Sequence, residues 1–223
     1  MQVRKDPLVN DHYYHVFSRS IAKFKIFNSR TDFERITDLL YLCRYQEFNI
    51  KYSRMLILAG PIKESIRSGF KGTDTKTVDI VAYCIMPTHI HILIKQNSDK
   101  GISMFMSKVL NSYARYFNVK TDRVGPLWAG RFKSVIVADD DQMLHLTRYI
   151  HLNPVSAGLV DDPEDWDASS YHEYLKHIDS GICKFEDIID MSAKEYRKFV
   201  NERKSYQREL SLIKSYLIDG YSG

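Results

Sequence analysis

The chain has 223 residues, 44% hydrophobic and 27% charged, which fits one globular domain with an appendage. That balance excludes a disordered chain, a collagen-like repeat and a disulfide-dense mini-protein. The formal net charge of +4 says little until it is divided along the chain: residues 101–135 hold six basic residues against one acidic, whereas 136–190 hold three against thirteen. A positive surface able to meet phosphate is therefore expected in the front part of the chain. Cys43, Cys84 and Cys183 lie far apart with no CxxC pair, which fits a reducing cytoplasm, and Cys43 and Cys84 read as small core residues. MQVRKDPLVNDHYYH at the start lacks the apolar region of a signal peptide, and no apolar run is long enough for a membrane span.

In chain order, HYYHVFSRSI (12–21) reads as a strand, and Thr31 opens a helical pattern of Phe33, Ile36, Leu39, Leu40 and Cys43. Residues 55–60 are a short apolar run of either type, and 63–77 read as a loop. VDIVAYCIM (78–86) is apolar almost throughout, as a central strand would be; Pro87-Thr88 makes a bend, and HIHILIK (89–95) returns as its hairpin partner. Ser103 is a candidate N-cap for a helix carrying Met104, Val109, Tyr113, Tyr116 and Phe117. GPLWAGRFKSVIV (125–137) begins as a turn and ends as a strand. Asp139, Asp140 and Asp141 sit where a helix N-terminus favours negative charge, and the helix that follows is expected to be interrupted at Asn153-Pro154. After an acidic loop, helices are expected near 171–178, 185–190 and 192–217. With no glycine-rich phosphate loop, an α+β arrangement, an antiparallel sheet flanked by helices, fits better than a doubly wound fold.

His89-Ile90-His91 is the sharpest local feature. Alternation along a strand puts both imidazoles on one face, where two neutral rings can share a divalent metal. Two ligands are incomplete, and His-x-His also occurs by chance in strands. Tyr149 and Asn153 stand one helical turn apart: tyrosine can act as a covalent nucleophile, and an asparagine oxygen can ligate a hard metal. Spacing alone does not prefer Tyr149 over Tyr113 or Tyr116, and Asn before Pro also reads as a helix boundary. Residues 108–133 interleave Lys108, Arg115, Lys120, Arg123, Arg131 and Lys133 with aromatic residues, a mix that grips single-stranded nucleic acid or, equally, a solvated basic face over core aromatics. His151 projects away from Tyr149 and Asn153, and His12 and His15 read as structural or surface residues.

Four stretches, HYYHVFSRSI (12–21), YCIMPTHIHILIK (83–95), GPLWAGRFKS (125–134) and RYIHLNPVSAGLV (148–160), with WDASSY (166–171) as a fifth, together resemble the single-tyrosine HUH transposases of bacterial insertion sequences, most of all the REP-associated tyrosine transposases. The resemblance implies a ferredoxin- or RRM-like antiparallel sheet over residues 1–172, leaving 173–223 as a helical C-terminal extension. It implies catalysis by Tyr149, His89 and His91, with Mg²⁺ or Mn²⁺ on His89, His91 and Asn153. Asn153 stands where many members carry Gln. The implied substrate is single-stranded DNA with a hairpin, cleaved through a 5′-phosphotyrosine; Arg19, Arg131 and Lys133, in the matching stretches, are the expected phosphate contacts, Trp128 either stacks on a base or belongs to the core, and Lys108, Arg115 and Arg123 of the basic segment are further candidate DNA contacts. The implied setting is the bacterial cytoplasm, with the protein nucleoid-associated when bound to DNA, either as a monomer or as a homodimer. Thr88 stands where Asn or Glu is common and is given little functional weight. Two competing readings are a domesticated hairpin-binding protein without cleavage and a metal-dependent phosphohydrolase using water.

Overall fold

The computed structural model describes residues 7–48, 52–56, 61, 65, 69 and 75–204. Its frame is β1 (Tyr13–Arg19), α1 (Arg30–Leu42), α2 (Tyr52–Leu56), β2 (Val78–Met86), β3 (His89–Gln96), α3 (Gly101–Lys120), β4 (Lys133–Ile136) and α4 (Asp140–Ser156), followed by α5 (Tyr171–Tyr174) and α6 (Ala193–Asn201). The strands form one antiparallel sheet in the order β2-β3-β1-β4. Apart from α2, the run from β1 to β4 is β-α-β-β-α-β, so this order is the ferredoxin-like arrangement. The expected hairpin of β2 and β3 is present. Most of the expected loop at 63–77, and most of the apolar run at 55–60, lie outside the described residues.

Alternation divides the sheet into two faces. Tyr14 and Val16 of β1 and Ile90, Ile92 and Ile94 of β3 are fully buried, and they pack with Ile36, Leu39 and Leu40 of α1 and Phe105, Met106, Val109 and Tyr113 of α3. On the opposite face, Cys84 and Met86 of β2 and Leu93 of β3 pack with Met143, Ile150 and Val155 of α4. Tyr171 and, from the C-terminal extension, Tyr174, Phe185, Tyr196 and Val200 complete this second core. β2 is apolar along its length because both of its faces are covered. Its outer edge is covered as well: Ile85 N donates to Ala168 O (2.8 Å) and Lys184 N to Ile80 O (2.8 Å), which leaves few ladder groups bare. The buried Arg44 guanidinium donates to the Tyr41, Gly181 and Ile182 carbonyls and fastens the extension to α1.

Four local expectations are corrected. Ser103 is not the cap of α3, which already starts at Gly101. A Cβ on Gly101 would lie 2.3 Å from Thr77 O, and Gln96 Oε1 accepts from Ile102 N, so the start of α3 is set by packing and by an acceptor from β3. Asn153-Pro154 does not interrupt α4, which runs on to Ser156. Proline cannot donate to Ile150 O, and the Asn153 amide nitrogen, which donates to Tyr149 O at 2.8 Å, also reaches that carbonyl at 3.5 Å. The 171–178 helix ends at Tyr174, with Lys176 in the left-handed conformation (φ 58°). Residues 185–190 form only a single turn, with Ile189 N donating to Phe185 O, which suffices to bury both side chains in the second core. Among the described residues, no helix is long and apolar enough to cross a membrane.

Candidate active site

The pairing of β1 with β3 sets Arg19 opposite His89 and Phe17 opposite His91. Alternation then places His15, Phe17 and Arg19 on the same face as the two histidines. The His89 and His91 rings stand nearly perpendicular with centroids 4.9 Å apart. His15 stacks on His91 at 5.1 Å, and its Nε2 lies 2.9 Å from His91 Nδ1. On the other side, Thr88 Oγ1 lies 2.9 Å from His89 Nδ1. Reading His15 as structural or surface is therefore corrected, since it is part of the histidine cluster. Strand register is the reason: it joins residues 76 positions apart and leaves no local signal. Thr88 likewise contacts the site.

α4 brings Tyr149 onto this cluster. Its ring meets His91 edge-on at 5.8 Å and His15 at 6.1 Å, and 38% of the residue remains exposed. Asp139 caps the helix by accepting from Gln142 N. A buried chain of hydrogen bonds fixes the other side of α4. Thr147 Oγ1 donates to Leu144 O (2.8 Å), and Tyr196 Oη donates to Thr147 Oγ1 (2.9 Å). With that phenolic proton committed, His151 Nδ1 donates to Tyr196 Oη at 2.7 Å, and His151 Nε2 accepts from Ser170 Oγ at 2.8 Å. His151 thus faces the second core, away from Tyr149, as its helical position predicts.

Burial keeps the cluster neutral. It lowers His15 to a pKa of about 4; burial and then Arg19 lower His89 to about 4, and burial followed by His15, His89 and Arg19 lowers His91 to about 2. Burial raises the Tyr149 phenol above its ordinary value, and Asn153 and Arg19 partly oppose that rise by favouring the phenolate. The rival tyrosines lie across the sheet: Tyr113 Oη donates to Ile26 O (2.6 Å), Tyr116 Oη to Asp32 Oδ1 (2.8 Å), and both phenols are raised by burial.

Among the described residues, no group of three or more His, Cys, Asp and Glu is placed to hold a metal. The candidate donors are the two imidazoles of the pair on the sheet and, one turn after Tyr149 on α4, the Asn153 amide oxygen. Both imidazoles are neutral with Nδ1 engaged, which leaves Nε2 on each, and the Asn153 nitrogen is engaged by Tyr149 O. This donor set suits a divalent cation whose remaining positions are filled by phosphate oxygens and water.

The expected DNA contacts are not gathered in one place. Arg19 is exposed at the end of β1 and acts electrostatically on His89, His91 and Tyr149. Lys133 pairs with Phe17 and so shares the histidine face at the sheet edge. Lys108 and Arg115 lie on α3, across the sheet, in a cleft of about 560 Å³ lined also by Arg35, Tyr52, Tyr116 and Lys120. Arg131 lines a separate cleft with Ser107, Asn111 and Trp128. Trp128 packs against the first core and donates to Leu110 O (3.0 Å), while Arg123 donates to Pro126 O (2.9 Å) within its own loop.

A ferredoxin-like sheet bearing a histidine pair, with a helix-borne tyrosine set against it, defines the class of single-tyrosine HUH proteins. Residues 39–153 match the family model described as Transposase IS200 like, and the chain belongs to that family, among its REP-associated relatives. It is 31% identical over 121 residues to a protein of Haemophilus influenzae named as a REP-associated tyrosine transposase, an alignment spanning 49% of this chain and 69% of that one. The fold is similar to that of a REP-associated tyrosine transposase solved bound to a REP hairpin, with a TM-score of 0.55 at 15% identity over 86% of this chain and 96% of the other.

Proposed function

We propose that this chain is a DNA strand transferase that cleaves and rejoins single-stranded, hairpin-containing DNA through Tyr149. The observation that carries the reading is the edge-on placement of the half-exposed Tyr149 ring 5.8 Å from His91, with both residues on one chain. Family membership supports the reaction class, and the REP hairpin bound by a protein of the same fold supports the substrate.

Tyr149 Oη attacks the scissile phosphorus, the bond to the 3′ oxygen breaks, and a 5′-phosphotyrosine forms. The phenolic proton leaves and the departing 3′ oxygen takes one up, so a 3′-hydroxyl is released. Attack of a 3′-hydroxyl on the adduct reverses the step; one phosphoester replaces another, and no ATP is consumed. Arg19 stabilises charge on the phosphate and favours the phenolate. Asn153 holds the turn of α4 that carries Tyr149. His89, His91 and Asn153 would hold Mg²⁺ or Mn²⁺, which supplies Lewis-acid polarisation of the phosphate when bound.

The test combines the full chain, Mn²⁺ and end-labelled hairpin oligonucleotides taken from repeats flanking the source gene, resolved on a denaturing gel. A protein–DNA adduct that disappears in Tyr149→Phe is the expected result. Binding without adduct under any divalent metal indicates a hairpin-binding protein instead, and cleavage that survives Tyr149→Phe indicates hydrolysis by water.

A further inference from the structure

The contact between His15 and His91 contains a choice that bears on ligation. His15 Nε2 and His91 Nδ1 face each other 2.9 Å apart, a distance that two neutral rings hold with a single proton between them. If His15 donates, His91 carries its own proton on Nε2, and that nitrogen cannot ligate. If His91 donates from Nδ1, its Nε2 presents a bare lone pair.

His15 is well held for one of these roles. It stacks on His91 with an interplanar angle of 21°, rests against Phe17 with centroids 5.2 Å apart, and meets the Tyr149 ring edge-on. The contact matches the one on the other side of the pair, where Thr88 Oγ1 engages His89 Nδ1. Each histidine of the pair therefore has Nδ1 occupied, one by a chain neighbour and the other by a residue from the adjacent strand.

We propose that His15 is a positioning residue that accepts the Nδ1–H of His91, holding the ring in the tautomer and orientation whose Nε2 can bind a divalent cation. The proposal rests on reading His89 and His91 as cation ligands. His15 then keeps its own proton on Nδ1 and acts only through His91. Outer partners of this kind fix imidazole ligands in metal sites, and their loss weakens metal binding by about 10- to 100-fold.

Two variants of the full chain test this. His15→Phe keeps an aromatic ring against Phe17 and Tyr149 but cannot accept a hydrogen bond, whereas His15→Gln restores an acceptor oxygen. In the metal-free protein, long-range ¹H–¹⁵N spectra report the His91 tautomer; without DNA, electron paramagnetic resonance titration reports Mn²⁺ affinity. The expected result is an Nδ1–H tautomer at His91 in the wild type, loss of that signature and at least about tenfold weaker Mn²⁺ binding in His15→Phe, and recovery of both in His15→Gln. An Nε2–H tautomer at His91 in the wild type overturns the proposal. So does a folded His15→Phe that binds Mn²⁺ as tightly as the wild type. A wild type with the Nδ1–H tautomer that binds no Mn²⁺ overturns the ligand reading itself, a failure visible in the wild type alone.

Discussion

Removing the Tyr196 hydroxyl tests how α4, the helix that carries Tyr149, is held. In Tyr196→Phe the ring keeps its packing on Tyr174, whose centroid is 4.6 Å away, and on Phe199 at 6.1 Å, so almost no apolar contact is lost. What is lost is the shared partner of Thr147 Oγ1 and His151 Nδ1, both on buried residues of α4. His151 can soften the loss by moving its proton to Nε2 and donating to Ser170 Oγ, which then donates to Tyr83 O at 3.2 Å. A bare His151 ring nitrogen still remains in the core, and Thr147 Oγ1, which goes on donating to Leu144 O, loses the bond it accepts. An unsatisfied buried polar group costs about 1–3 kcal/mol, and for a domain of this size each kcal/mol lowers Tm by about 2–4 °C. Tyr196→Phe is therefore expected to melt roughly 2–12 °C below the wild type in calorimetry at pH 7.5. Tyr149→Phe, which removes a partly exposed hydroxyl at the site, serves as the control and should melt with the wild type. A Tyr196→Phe protein with the wild-type Tm would refute the network as a support of α4.

Acid should unfold the chain unusually early. His15, His89, His91 and His151 have folded pKa values lowered by burial to about 4, 4, 2 and 3. Between about pH 6.5 and 4 the unfolded chain thus binds more protons than the folded one, and stability falls as pH falls through that window; a urea midpoint that stays flat from pH 7 to 5 would contradict this. Gly101→Ala forces a Cβ against the Thr77 carbonyl, with 2.3 Å between them, and should lower stability by about 1–3 kcal/mol in urea titration. Arg19→Ala should slow adduct formation and weaken oligonucleotide binding, with the salt slope reduced by about 1, whereas Arg115→Ala, across the sheet, should leave the single-turnover rate at saturating DNA within about twofold of wild type.

The parts of this fold written in short-range pattern are legible in the amino-acid sequence. The apolar run of β2, the alternation of β1 and β3, and the helical spacing of α1 each bury what their period predicts. The shared face of His89 and His91, and the position of Tyr149 on a helix, follow from periodicity as well. Long-range placement has no such local signature. His15 joins the site only through the β1–β3 register, and the start of α3 is fixed by Thr77 and Gln96 rather than by its own first turn. Pro154 misleads because α4 runs through it, with the Asn153 amide reaching the Ile150 carbonyl that proline leaves without its donor. The basic residues of 108–133 read as one surface along the chain, yet the sheet lies between Lys133 and the α3 cations.

β1 lies between β3 and β4, with Tyr14, Val16 and Ser18 on one side and His15, Phe17 and Arg19 on the other. A slip of one residue in its pairing would exchange the two sets. Val16 would enter the face that bears the histidine pair, and a histidine and an arginine would enter an apolar core with no partners there. Wrong alignment is thus penalised by hydrophobic burial alone, whatever the site binds. Folding stably and setting the imidazoles in place are therefore one event, and misalignment of the histidines would be accompanied by a measurable loss of stability.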